Sequence, residues 1–159
     1  MGSAMGASDT SPASLEKQFS SGAFLCPAAY GQRMNFNNIL LGTDNPQRLF
    51  DYYTKVLGEP AYKDDSYQSW QLGSGTFSVG AHSEVHGKNA MPGRFIWNIE
   101  SDDVKGDFDR MKAAGAIVIK EPYSFDQLPN VWIATLADPD DNYFQLMSPF
   151  DPDSMGGGN

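Results

Sequence analysis

The sequence predicts an α+β domain built from two βαβββ modules, each with one helix and a small mixed sheet. Three observations support this prediction. The order strand, helix, strand, strand, strand occurs twice along the chain. The interval from the first strand to the glycine that ends the helix is similar in both halves, Asn38 to Gly58 and Arg94 to Gly115. One helix covers only one face of a sheet, so the other face must be buried by pairing of the halves or of two chains.

The first module opens with the strand-length apolar run NFNNILLG. Asn45 offers a capping oxygen, Pro46 suits the first helical position, and Gly58 ends the predicted helix. The helical period places Tyr53 in the core and Tyr52 on the surface. The other predicted strands of this module are Ala61-Tyr62, Tyr67–Leu72 and Thr76–Ala81, and a Gly-Ser-Gly turn joins the last two.

The second module repeats this order, beginning with a predicted strand over Arg94–Glu100. Ser101 and Asp102 are candidate caps for its helix, which Gly115 closes. Apolar residues recur on one face of this helix at i, i+4 and i+7. The remaining predicted strands are Ala116–Lys120, Val131–Ala137 and Tyr143–Met147, and an Asp-rich turn precedes the last one.

Two terminal segments are predicted to lie outside the domain. Residues 1–33 are rich in Ser, Ala and Gly and lack periodicity, which is typical of a flexible arm or a partial tag. Residues 150–159 form a Gly-rich tail. The domain is therefore predicted over residues 34–149, with modules at about 34–82 and 94–149.

Composition excludes several classes of function. The 11 basic and 20 acidic residues give a formal net charge of −9, which disfavours nucleic acid and anionic membrane surfaces as partners. The single cysteine, Cys26, excludes an internal disulfide and a multi-cysteine zinc site. No run is apolar enough to span a membrane, and no secretory signal is seen, so a cytoplasmic location is predicted. No phosphate- or dinucleotide-binding motif is present, and no cofactor is expected.

The doubled order, the segment FDYYTKVLG and the turn DPDDN together resemble the vicinal oxygen chelate superfamily. This superfamily includes glyoxalase I, bleomycin-resistance proteins and extradiol dioxygenases, and the resemblance covers residues 34–149. It implies that the sheets form an open cup with the helices outside and that a small molecule binds in the cup. Metal enzymes of the superfamily carry a His at the start of the first strand of each module and a Glu on each last strand.

Carried over to this sequence, the His positions fall on Asn38 and Arg94, and one Glu position falls on Gln145. The other Glu position falls near residues 79–81, where there is no carboxylate. Arg only donates hydrogen bonds, and amide carbonyls are weak neutral ligands. The resemblance therefore implies a small-molecule-binding protein without the usual divalent metal. The alternatives are a metal-dependent lyase, isomerase or dioxygenase with a relocated metal, and a non-catalytic structural or regulatory dimer.

His82, Glu84 and His86 form the only cluster of metal-ligand residue types in the sequence. On an extended strand the three side chains would share one face, which is where a relocated metal would bind. The alternative is a solvated loop, in which His82 lies at the rim of the cup as a polar or acid–base group.

The predicted ligand-binding residues lie on predicted strands or at their ends: Asn38, Trp70, His82, Arg94, Asn98, Trp132 and Gln145. On one strand Arg94 and Asn98 would share a face, and Arg suits a carboxylate, phosphate or enolate. Alternatively Arg94 bonds Gln145 or backbone carbonyls and closes the cup. Trp70 and Trp132 are candidates to stack on a flat ligand, with core or dimer packing as the alternative. The uncovered sheet faces predict a homodimer, whose cup forms within one chain or between two.

Overall fold

A computed structural model describes residues 36–149 of the chain. The predicted arm over residues 1–33, Cys26 within it, and the tail over residues 150–159 lie outside the described residues. The elements are, in chain order, β1 Asn38–Thr43, α1 Pro46–Leu57, β2 Tyr62–Lys63, β3 Tyr67–Leu72, β4 Gly75–Ala81, β5 Ile96–Glu100, α2 Val104–Ala113, β6 Ile117–Phe125, β7 Leu128–Ala137 and β8 Tyr143–Met147. This order confirms the two βαβββ modules.

The two modules form two four-stranded sheets of the same design. The strand orders are β1-β4-β3-β2 in the first sheet and β5-β8-β7-β6 in the second. In each sheet the first strand of the module pairs in parallel with the last, and the other neighbours pair antiparallel. Each sheet is therefore mixed, as the predicted α+β class requires.

Both helices begin at side-chain caps. The Asn45 Oδ1 atom accepts a hydrogen bond from the Arg48 backbone N–H at 3.3 Å, which confirms the predicted start of α1. In α2 the cap is Asp103, whose Oδ1 atom accepts from the Gly106 N–H at 3.0 Å. The prediction of Ser101 or Asp102 as the cap was therefore wrong, because Ser101 instead orients Asp103 by accepting its backbone N–H. Neither helix of residues 36–149 is long and apolar enough to cross a membrane.

The strand that opens the second module is shorter than predicted. Pro92–Arg94 form a 3-10 turn, and β5 begins only at Ile96. Proline fixes its backbone φ angle at a value that suits such a turn, and the turn removes Arg94 from the strand. The hairpin at the far side of the second sheet is longer than predicted, since β6 extends to Phe125 and β7 starts at Leu128.

One apolar core serves both modules. The Trp97 ring on β5 is stacked between Phe77 of the first sheet and Phe144 of the second, at centroid distances of 4.4 and 5.4 Å. Tyr53 on α1 contacts both of these phenylalanine rings. Trp97 and Tyr53 are both buried, and the burial of Tyr53 confirms its predicted place in the core.

The prediction that Tyr52 lies on the surface was wrong. Its side chain is buried, and its hydroxyl donates a hydrogen bond to the Ala137 carbonyl at 2.8 Å. Helix α1 is covered by its own sheet on one side and meets the end of β7 on another. Tyr52 is therefore buried against the second module, next to Tyr53 in the shared core.

Candidate functional site

Each sheet has one face packed on the helices and one face turned away from them, which we call the open face. Side chains alternate between faces along a strand. Asn38 on β1 and Ser78 on β4 therefore lie on the open face of the first sheet, opposite to the core residue Phe77. Asn98 on β5 and Gln145 on β8 lie on the open face of the second sheet. Three of the predicted ligand-binding residues are thus on open faces.

Polar side chains on the open face of the first sheet bond one another. The Ser78 hydroxyl donates to Asn38 Oδ1 at 3.1 Å, and the Ser78 and Ser69 hydroxyl oxygens are 2.8 Å apart. The Ser69 Oγ atom also lies 3.5 Å from the Phe77 carbonyl oxygen, so its hydroxyl can donate to this oxygen or to Ser78 Oγ. Asn38 Nδ2 in turn donates to the Tyr67 hydroxyl at 3.4 Å. Ser78 is fully buried, so the polar groups around Asn38 are occupied by one another.

The open face of the second sheet uses fewer of its polar atoms internally. Asn98, Gln145 and Thr135 lie side by side on neighbouring strands β5, β8 and β7. Gln145 Nε2 donates to Thr135 Oγ1 at 2.9 Å, which fixes the amide so that its oxygen is turned away from that hydroxyl. Gln145 is half-buried and Asn98 is exposed. Their amides can therefore receive a ligand.

The strand register identifies matching positions in the two modules. Ser78 lies directly opposite Ser69 across β4 and β3, and Gln145 lies directly opposite Thr135 across β8 and β7. Each pair is hydrogen-bonded on its open face. Ser78 is therefore the counterpart of Gln145. It occupies the last-strand position of the first module, which the sequence resemblance located only as near residues 79–81.

These side chains do not suit a divalent metal. Asn38, Ser78 and Gln145 are neutral, and tightly bound transition metals take imidazole, thiolate or carboxylate ligands. Within residues 36–149, no three His, Cys, Asp or Glu side chains are grouped closely enough to hold a metal ion. The donor set of the open faces is suited to hydrogen bonding with an organic molecule.

Arg94 is not brought into the row with Asn98. It lies in the 3-10 turn before β5, is exposed, and its guanidinium contacts the Met91 sulfur at 3.5 Å. By register the counterpart of Asn38 is Ile96. Asn38 pairs with the residue two positions before Ser78 on β4, and Ile96 pairs with the residue two positions before Gln145 on β8. The placement of Arg94 on the strand was wrong because Pro92 starts a turn there.

Trp70 and Trp132 lie on the helix side of their sheets, not on the open faces. Trp70 is 2% exposed, packs on Phe77, and donates its indole N–H to the Gly58 carbonyl at 2.8 Å. Trp132 packs against the core, with the Lys105 ammonium 3.4 Å from its ring centre. The core alternative is therefore correct for both residues, because alternation along β3 and β7 turns them toward the helices.

His82, Glu84 and His86 do not share a strand face. Strand β4 ends at Ala81, and the chain then turns, with the Glu84 backbone N–H donating to His82 Nδ1 at 3.2 Å. The predicted loop is correct. His82 packs over Gly42 at the end of β1, whereas His86 lies farther along the loop. The structure thus places His82 at the edge of the open face.

The Asp-rich turn after β7 joins the modules. Asp138 accepts hydrogen bonds from the Tyr53 hydroxyl at 3.0 Å and from the Asn142 backbone N–H at 2.9 Å. Asp140 accepts from the Thr43 hydroxyl at 2.7 Å and pairs with Arg48. Turn chemistry accounts for these carboxylates without a calcium ion.

Burial dominates the electrostatics of this turn. It raises the pKa of the Asp138 carboxyl, although the hydrogen bonds from Asn142, Tyr53 and Asp140 act in the opposite direction. Burial and the nearby Asp138 charge together raise the pKa of the Tyr53 hydroxyl. Tyr53 therefore stays a neutral hydrogen-bond donor across the physiological range.

Sequence reasoning missed Ser69, Ser78 and Thr135 as members of the open faces. For Ser69 and Ser78, the length of the hairpin turn at Gly73 and Ser74 was the signal that could have found them. A two-residue loop pairs Leu72 with Gly75 and therefore places Ser69 opposite Ser78. For Thr135 the signal was the Asp-rich turn over residues 138–142, which pairs Ala137 with Tyr143 and therefore places Thr135 opposite Gln145.

The fold and the open faces define a duplicated βαβββ protein of the vicinal oxygen chelate superfamily. Residues 38–147 match the sequence profile of the glyoxalase-like domain family, and the chain belongs to that family. The match spans all eight strands and both helices, and it confirms the resemblance seen in the sequence. None of the curated proteins matches the chain.

Solved structures of similar fold include several members of this superfamily. A glyoxalase-related enzyme from Fulvimarina pelagi is 16% identical, with a TM-score of 0.60 over 76% of this chain and 94% of the other. A glyoxalase/bleomycin resistance protein/dioxygenase family enzyme from Burkholderia phytofirmans PsJN is 21% identical, with a TM-score of 0.58 over 74% of this chain and all of the other. TioX from Micromonospora sp. ML1 is 18% identical, with a TM-score of 0.56 over 74% of this chain and all of the other. At these identities the similarity shows the fold.

Proposed function

We propose that this protein binds a small organic molecule at its open sheet faces and that it does so without the divalent metal usual in its superfamily. The observation that carries this proposal is the chemistry of the metal-ligand positions. Asn38, Ser78 and Gln145 stand where the superfamily's metal enzymes present His and Glu, and all three are neutral hydrogen-bonding groups.

Hydrogen bonding to these groups is selective because their partners hold them in place. A small number of fixed polar groups in a largely apolar site orients a ligand. Gln145 is held by Thr135, so the oxygen of its amide is presented as an acceptor beside the exposed Asn98 amide. A ligand with both donors and acceptors would satisfy this pair of amides.

The metal part of the proposal is tested by elemental analysis of protein purified without chelator. We expect zinc, nickel, iron and manganese far below one atom per chain. One tightly held atom per chain would overturn this part and favour the metal-dependent alternative.

The binding part is tested by a thermal-shift screen of small organic compounds, because a ligand that binds only the native state raises its stability. We expect hits whose stabilisation is lost in Gln145→Met. Gln127→Met is the matched control, since Gln127 is exposed in the turn between β6 and β7. Equal stabilisation of both variants would remove Gln145 from the site, and the absence of any hit would favour a purely structural dimer.

We propose that the protein is a homodimer in which a second copy covers exposed apolar side chains. Met91 and Phe95, which lie just before β5, are 57% and 61% exposed. Large exposed apolar patches mark interaction surfaces. Light scattering should give twice the chain mass of 17.4 kDa at micromolar concentration, and the mass of a single chain would contradict this.

A cytoplasmic location and the lack of nucleic-acid partners stay predictions. The net charge of −9 supports the second of these. A filter-binding assay with duplex DNA at low salt should detect no retention.

A further inference from the structure

A cavity of about 200 Å³ lies on the open face of the first sheet, at the end of β1 and β4 that is remote from Asn38. Gly42 and Gly80, paired across the two strands, form its floor. Leu40, Tyr67 and His82 form its walls. A cavity of about 150 Å³ is enough to hold benzene, so this one accommodates a single ring with a short substituent.

The two glycines make room for the two aromatic walls. A Cβ atom on Gly42 would be 2.9 Å from the His82 Cβ, closer than two carbon atoms pack. A Cβ atom on Gly80 would be 3.2 Å from Cδ2 of the Tyr67 ring. Both glycines have extended backbone conformations, so their role here is the space above the sheet.

The His82 ring has a defined tautomer. A backbone N–H can only donate, so the bond from the Glu84 N–H requires Nδ1 to be unprotonated. In the neutral ring the proton is then on Nε2. The ring that forms this wall of the cavity therefore carries one hydrogen-bond donor, at Nε2.

The cavity has no charged group to attract an ion. None of the residues lining it carries a carboxylate, ammonium or guanidinium. The net charge of −9 on the chain further disfavours an anion. The site thus favours a neutral ring that carries a hydrogen-bond acceptor.

We propose that the cavity between Gly42, Gly80, Tyr67 and His82 is a binding site for a neutral aromatic or heteroaromatic compound with a carbonyl group. The ring lies on the glycine floor between Leu40 and Tyr67, and the carbonyl oxygen accepts from His82 Nε2. This inference rests on the proposed small-molecule function. It adds a second binding site, separate from the one at Asn98 and Gln145.

Titration of the ¹⁵N-labelled full chain with benzamide, followed by amide NMR shifts, tests the inference. We expect saturable shifts at Gly42 and Gly80 in the millimolar range. In His82→Phe, which keeps a ring but loses the donor, the affinity should fall at least about tenfold, the size of a hydrogen bond worth about 1.4 kcal/mol. His82→Gln, whose amide can donate from the position of Nε2, should retain most of the affinity.

Two controls make the result specific. Gln127→Met, in the exposed turn between β6 and β7 and outside the cavity lining, should change the affinity less than about twofold. Benzylammonium, a cation without an acceptor, should not shift Gly42 or Gly80. Gly42→Ala should abolish the benzamide shifts by displacing His82.

The outcomes separate this inference from the proposed function. Benzamide shifts that are absent at Gly42 and Gly80, or equal in wild type and His82→Phe, would overturn the cavity site. Screen hits that depend on Gln145 would in that case leave the proposed function standing. Benzamide binding at Gly42 without any Gln145-dependent hit would support the cavity and contradict the role of the amide pair.

Discussion

The two modules share a backbone plan but differ in the chemistry of their open faces. In the first module the central row across the sheet is Leu40, Ser78 and Ser69, and in the second it is Asn98, Gln145 and Thr135. The first row ends in an exposed apolar side chain, and its hydroxyls form hydrogen bonds with one another and with Asn38. The second row begins with an exposed amide and leaves the oxygen of a second amide available.

This difference shows that the duplicated fold does not carry a duplicated site. Backbone pairing sets where a side chain can point, and the residue type at that point decides whether it bonds inside the sheet or outside it. The polar row of the first module stabilises the sheet, whereas that of the second is suited to a ligand. Five substitutions test this comparison, beginning with the core that joins the modules.

Trp97→Ala should have the largest effect, because its ring is stacked between Phe77 and Phe144 of the two sheets. Removing a buried Trp side chain costs about 3–5 kcal/mol. Urea unfolding measures the change. Gln127→Ala is the control, since Gln127 is exposed in the turn between β6 and β7, and it should change the unfolding free energy by less than about 0.5 kcal/mol. Similar losses in both variants would mean that the modules do not share a core.

The sequence predicted those parts of the fold that depend on neighbouring residues. Helix α1 begins and ends as expected, because Asn45, Pro46 and Gly58 act within one turn of the helix. Tyr52 was misplaced because its partner, the Ala137 carbonyl, is distant in sequence. The helical periodicity of the sequence identifies the apolar face of α1 that packs on its own sheet. It does not show that the second module covers another face of the helix.

The candidate site was predicted in part for the same reason. Asn38 and Gln145 lie on open faces as expected, since they were located by short motifs close to the strands. Their hydrogen-bonding partners Ser78 and Thr135 depend on strand register across a hairpin. Trp70 was misassigned because the side of the sheet that faces the helix follows from this register and not from residue type.

Asp138→Asn should have the next largest effect, because it breaks the polar turn that links the modules. Asp138 accepts hydrogen bonds with both carboxylate oxygens, and an amide would direct an NH₂ group at some of those donors. We expect a loss of about 1–3 kcal/mol in unfolding free energy, the range for buried unsatisfied groups.

The effect of Asp138→Asn should also depend on pH. Burial raises the pKa of Asp138 above the usual value of 3.8, so its stabilising contribution is present below that pH and is lost as the pH rises through the folded-state pKa. The difference between wild type and Asp138→Asn should therefore shrink as the pH rises from 3.8 through the folded-state pKa of Asp138. Urea unfolding across this range measures it, and a difference that grows with pH would show that the hydrogen bonds outweigh burial.

Ser78→Ala compared with Thr135→Val tests the contrast between the open faces directly. Ser78 is fully buried, and its loss removes the donor to Asn38 Oδ1 and leaves the Ser69 hydroxyl only its 3.5 Å contact with the Phe77 carbonyl, at a cost of about 1–2 kcal/mol. Thr135→Val removes the acceptor of Gln145, but Gln145 is half-buried and water can replace the bond. We expect a smaller loss, below about 1 kcal/mol, and a weaker response to screen hits. The opposite order of stabilities would reverse the assignment of structural and ligand-binding faces.

Arg94→Ala should have the smallest effect on stability, less than about 0.5 kcal/mol. The side chain is exposed in the turn before β5, and its guanidinium contacts only the weak acceptor sulfur of Met91 among the described hydrogen bonds. Its predicted role in ligand binding stays a prediction, which calorimetric titration of wild type and Arg94→Ala with a screen hit decides. Unchanged affinity would place the whole recognition surface of the second module on Asn98 and Gln145. A clear loss of affinity would mean that the ligand extends past the start of β5 to reach the guanidinium, and would make the second module's site larger than its strand row.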